Sequence, residues 1–118
     1  MGKIAEVNAV SLTGTELTKK QIYFATQGKE NVPVNELEDG HVIKPIGYVE
    51  FVDINNNGDE REVFSVIAED GTVYSTISKT FKESFKTIVE LMQPDKFEVK
   101  KLSGKTKAGR DYIDCELV

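Results

Sequence analysis

Hydrophobic positions recur with two different periods in the second half of the chain. In residues 72–77, Val73, Ser75 and Ile77 alternate with Tyr74 and Thr76, the two-residue period of a strand. From Phe81 the spacing lengthens: Phe81, Phe85, Ile88, Val89 and Met92 fall on one face of a helix over residues 80–93. Thr80 followed by Glu83 has the form of a capping box, and Pro94 stands just past the far end. A stripe of this kind faces a core, so these aromatics are expected to plug the body of the protein.

Strand patterns flank the helix on both sides. Residues 41–54 are apolar-rich and carry Gly47 near the middle, where a glycine marks a bulge or bend that lets one strand serve two parts of a sheet. Asn57-Gly58 signals a hairpin in which both residues tolerate positive φ, and a strand over residues 60–68 follows it. Glu69-Asp70-Gly71 makes a second turn. After the helix come strands over residues 96–102 and 110–118; in the last, Ile113, Cys115 and Leu117 alternate with Tyr112, Asp114 and Glu116. The order strand-strand-strand-helix-strand-strand is that of a five-stranded OB barrel, all-β with one helix, a fold much used for single-stranded nucleic acid and oligosaccharides. Residues 41–118 would form the barrel. Residues 3–12 and 20–26, the latter holding the β-formers Ile22, Tyr23 and Phe24, are read as an N-terminal hairpin extension within residues 1–35 of a single domain. On this reading Tyr74 and Tyr112, opposite the apolar sets, point to solvent.

Composition adds limits. With 118 residues there is room for one core. No apolar run approaches a membrane span and the opening residues lack a signal peptide's apolar stretch, so a soluble, intracellular protein is expected. The lone Cys115 allows neither an internal disulfide nor a cysteine-built metal site. A net charge of −5 argues at first against phosphate binding, yet the charge is segregated. Lys96, Lys100, Lys101, Lys105, Lys107 and Arg110 cluster with only Glu98 among them, while residues 36–70 are rich in acids. Such a basic run is either a solvated hairpin or a phosphate contact.

Catalytic and metal motifs fail on inspection. Asp53, Asn55, Asn57 and Gly58 open like a calcium loop, but the twelfth position, which needs a glutamate, is Phe64. Gly104-Lys105-Thr106 lacks the upstream glycine of a phosphate-binding loop, and the single histidine, His41, stands in no motif. No enzyme, metal or cofactor is read here. What remains is aromatics beside cations, the needs of a single-strand binder. Tyr48, Tyr74 and Tyr112 are the expected stacking platforms, and Lys79, Lys100, Lys101, Lys105, Lys107 and Arg110 the expected phosphate contacts. The competing reading is an OB-type protein-interaction module of a phage or mobile element.

From Gly58 onward the residues resemble the single-stranded DNA-binding proteins of the small protein-primed Bacillus phages, the phi-twenty-nine type. The similarity rests on Gly58-Asp59, on Asp70-Gly71-x-x-Tyr74-Ser75-x-x-Ser78-Lys79-Thr80, on Phe97-Glu98-Val99-Lys100 and on Lys107-Ala108-Gly109. Weaker similarity at Leu37-Glu38-Asp39-Gly40 and Tyr48 extends it to about two thirds of the chain. The resemblance implies a host-cytoplasmic protein that coats displaced single strands during phage DNA replication, protects them and opens weak secondary structure. Stacking would fall to the matching Tyr48 and Tyr74. Asn57 stands where the family has a tyrosine, which leaves one stacking contact absent or taken over by Tyr112. Single-stranded DNA is the implied partner, with the phage DNA polymerase and a second copy of the chain as candidate protein partners.

Overall fold

A computed structural model describes residues 3–118. Its elements are β1 (Lys3–Ser11), α1 (Lys19–Gln27), β2 (Val32–Pro33), a 3₁₀ turn (Val34–Glu36), β3 (Val42–Ile43), β4 (Pro45–Ile54), β5 (Glu60–Ala68), β6 (Val73–Thr76), α2 (Lys79–Met92), β7 (Val99–Lys105) and β8 (Asp111–Leu117). The fold is mostly β with two helices. Five strands form one sheet in the order β1-β4-β5-β6-β2, and three form another in the order β3-β7-β8.

The stretch expected as one bent strand does serve both sheets. Val42 and Ile43 pair with β7, whereas Pro45 onward pairs with β5, with a register shift between Pro45 and Gly47. A β-carbon on Gly47 would lie 2.9 Å from the Val10 carbonyl and 2.8 Å from Leu17, so only glycine allows β1 this close. The sheets do not close into a five-stranded barrel. β6 gives one edge to β5 and the other to the parallel β2, with Val32 opposite Tyr74 and Pro33 opposite Ser75. That edge is therefore unavailable to β8, and a seam stays open between β6 and β8.

The N-terminal hairpin is also corrected. β1 pairs antiparallel with β4, and residues 20–26 lie in a helix despite their β-forming side chains. Thr18 begins it with a full capping box: its Oγ1 accepts from the Gln21 N–H at 3.0 Å, and Gln21 Oε1 accepts from the Thr18 N–H at 2.8 Å. Local capping outweighs the modest strand preference of Ile22, Tyr23 and Phe24.

α1 gives the five-stranded sheet two buried faces. On the inner face Tyr48, Phe64, Val66 and Tyr74 join Phe81 and Phe85 of α2 in one cluster; on the outer face Val49, Phe51, Ile67 and Val73 pack with Ala25 of α1. The helix expected over residues 80–93 is α2, with its cap two residues earlier. Ser78 Oγ accepts from the Phe81 N–H at 3.1 Å and donates to the Ile113 carbonyl at 3.2 Å, fastening the helix start to β8.

Three hairpins share one closure. In the β4–β5, β5–β6 and β7–β8 loops a glycine, Gly58, Gly71 or Gly109, has φ of 83°, 89° or 82° and donates back to the carbonyl three residues earlier, that of Asn55, Ala68 or Thr106. Asn57 does not share the positive φ expected of it, because this loop puts only the glycine in the left-handed region.

Candidate nucleic-acid interface

The open seam is a groove of about 670 Å³. Ser75, Thr76, Ile77 and Ser78 line it from the end of β6, Val63 and Arg61 from β5, Asn31, Pro33 and Asn35 from the segment around β2, and Asp111, Tyr112 and Ile113 from β8. A second groove of about 330 Å³ shares Asn31, Arg61, Val63 and Ser75 with the first and runs on past Phe51 and Asp53 to Thr26, Gln27 and Gly28 at the end of α1. Together they make one channel across the outer face of the sheet. It lies on the part that α1 leaves uncovered.

Tyr112 is the tyrosine that stands in this channel. It is 40% exposed, and a β-carbon on Gly104, its cross-strand partner, would fall 2.6 Å from its hydroxyl. The ring thus lies over the bare glycine backbone, which fixes its direction. Tyr48 and Tyr74, by contrast, are 6% and 8% exposed, so the expectation that Tyr74 points to solvent is corrected. The Tyr48 ring packs 5.1 Å from that of Phe64. Tyr74 lies edge-on to His41, its hydroxyl 3.3 Å from His41 Nε2. Burial raises the ionisation of both phenols above the ordinary tyrosine range. The alternation in β6 holds, but the Tyr74 face is the dry one, because it packs with Phe81 and Phe85 of α2 while Ser75 and Ile77 on the other face border the groove.

The basic hairpin is partly neutralised by its own register. Lys100 faces Glu116 and Lys105 faces Asp111, with ion pairs of 3.0 and 3.3 Å. Lys101 is buried: its Nζ donates to the Leu37 carbonyl at 2.8 Å and to Asp39 at 3.0 Å, so it ties the chain before β3 to β7 and has no free face for phosphate. Hydrogen bonds from Ser103, and then from Lys101, hold the Asp39 carboxyl below the usual carboxylate range. Lys79, Lys107 and Arg110 are exposed and take part in no ion pair among the described residues. Lys79 follows the groove residue Ser78, and Arg110 precedes Asp111 and Tyr112.

Sequence reasoning missed Arg61, Ile77 and the β2 segment. Arg61 was hidden in an acid-rich stretch, yet it sits opposite Asp53 in the register and pairs with it at 3.0 Å at the junction of the two grooves. Ile77, by pattern a core position, is exposed beyond the end of β6.

An open channel with an exposed ring, an apolar floor and short hydroxyl and amide side chains, next in sequence to the exposed Lys79 and Arg110, has the makings of a binding surface for an extended, flat-ringed anionic polymer. The chain belongs to the phage single-stranded DNA-binding protein family, whose model matches residues 1–118. It is 29% identical over 110 residues to the single-stranded DNA-binding protein of Bacillus phage PZA, an alignment covering 87% of this chain and 89% of the relative. The protein of the same name from Bacillus phage phi29 matches with the same identity and coverage. That of Bacillus phage B103 is 31% identical over 86 residues, covering 68% of this chain and 70% of the relative. No solved structure matches.

Proposed function

We propose that this protein binds single-stranded DNA without sequence preference and coats strands displaced during phage genome replication. The observation that carries this reading is the channel at the β6–β8 seam, with Tyr112 held over Gly104 at its wall, in a chain of this family. Every base has a π-face, so a tyrosine platform accepts all four, and covering bases one strand at a time opposes weak pairing. Tyr112 is the stacking platform. Lys79, Lys107 and Arg110 meet phosphates directly, while Lys100 and Lys105 do so on exchanging Glu116 and Asp111 for the strand. Tyr48 and Tyr74 support the sheet from below, and Lys101 is a structural tie.

The chain has four tyrosines and no tryptophan, so stacking is read as quenching of tyrosine emission on adding oligo-dT. Tyr112→Ala should lose about fivefold or more in affinity, the value of one stacked base, with an unchanged melting temperature. Tyr74→Ala should do the reverse, lowering stability by about 3 kcal/mol because a cavity replaces a buried ring. Absence of quenching together with absence of a salt-sensitive gel shift in the wild type would defeat the proposal.

A further inference from the structure

We propose that α1 is a second contact element for the strand, extending the channel onto Tyr23; the inference rests on the reading of the channel as a single-strand site. α1 has the sequence Lys-Lys-Gln-Ile-Tyr-Phe-Ala-Thr-Gln, with two cations and no acid in an acidic chain. Ala25 packs on the sheet. Tyr23 lies two residues earlier, roughly 200° round the helix, and so faces away from the protein. It is 57% exposed, and the neighbouring Phe24, 47% exposed, holds it edge-on with ring centroids 5.3 Å apart.

The exposure of Tyr23 needs a reason, because Ala25 and Leu17 already cover the sheet beneath and Phe24 borders the groove over Ile46, Ile67 and Val73. Charge and position supply one. Lys19 and Lys20 precede Tyr23 by one turn, and neither forms an ion pair among the described residues. Gln27, which lines the end of the channel, stands four residues after Tyr23 and therefore on the same helix face, about 6 Å along the axis. A strand leaving the channel at Gln27 meets Tyr23 next, with Lys19 and Lys20 beyond it for phosphates. A planar ring flanked by free ammonium groups fits a nucleotide chain, whereas an apolar protein partner would leave both lysines unpaired.

Oligo-dT of about four and about twelve nucleotides, within the span of sizes used by folds that bind single strands, tests this with the full chain. The short oligomer fits the channel alone. Tyr23→Ala should weaken the longer oligomer about fivefold or more, leave the shorter unchanged, and keep the wild-type melting temperature and sedimentation. Lys19→Gln with Lys20→Gln should lower the salt slope for the longer oligomer by about 1.4, two phosphates' worth. If Tyr23→Ala binds both lengths as the wild type does while Tyr112→Ala is impaired, the role of α1 falls and the channel reading stands. If the wild type binds neither oligomer, the channel reading itself falls. A change in sedimentation without a change in DNA affinity would make this face a contact between two copies and overturn the proposal.

Discussion

Tyr74 and Tyr112 illustrate how alternation in a strand tells two faces apart without telling which is wet. Both residues oppose the apolar set in their strand, yet one is buried under α2 and the other stands in a groove. Cys115, at an alternating apolar position of β8, lies in the core cluster with Phe81 and Phe85 of α2. Burial pushes its pKa up to about 12, and its Sγ sits 3.7 Å from the Phe81 carbonyl. The thiol is therefore expected to resist a disulfide reagent at pH 8 in the folded protein and to react at once after denaturation, as followed by absorbance. Asp39 carries a pH dependence. Its folded pKa lies below the ordinary carboxyl range, so its stabilising effect is complete above that range and is lost as the pH falls through the folded value. Melting temperatures of wild type and Asp39→Asn should accordingly converge on acidification, and a constant gap would contradict this role.

Among the elements, α2 and the glycine-closed hairpins could be read from the chain because their causes are local. A four-three-one-three apolar spacing selects a helix, and a glycine in a tight hairpin loop selects a left-handed residue. α1 is hidden in the sequence because Ile22, Tyr23 and Phe24, three β-formers in a row, mask the capping box that Thr18 and Gln21 make. If the cap sets that helix, Thr18→Ala should lower stability by about 1 kcal/mol in denaturant titration. The end of α2 nearest the groove has a tertiary reason for its start: Ser78 bonds both the helix and β8, which no one-dimensional rule distinguishes from a cap at Thr80.

For the molecule as a whole, the net charge says less about binding than which cations are already spent. Lys100, Lys101 and Lys105 are engaged with Glu116, Asp39 and Asp111, so a count along residues 96–110 overstates the basic field. Lys107→Gln with Arg110→Gln should lower the slope of log affinity against log salt by about 1.4, whereas Lys101→Gln should act on stability with little change in slope. The residues alone settled the strands on either side of α2, the α2 helix itself and the tight turns, since each depends on neighbours within a few positions. Tertiary structure decided that β2 takes the free edge of β6, that α1 covers the outer sheet face, and hence that a seam opens at β8. Edges and faces are claimed in competition among distant segments, and only the assembled sheet shows that Tyr112, Arg61 and Ile77 share a groove while Tyr48 and Tyr74 lie beneath it.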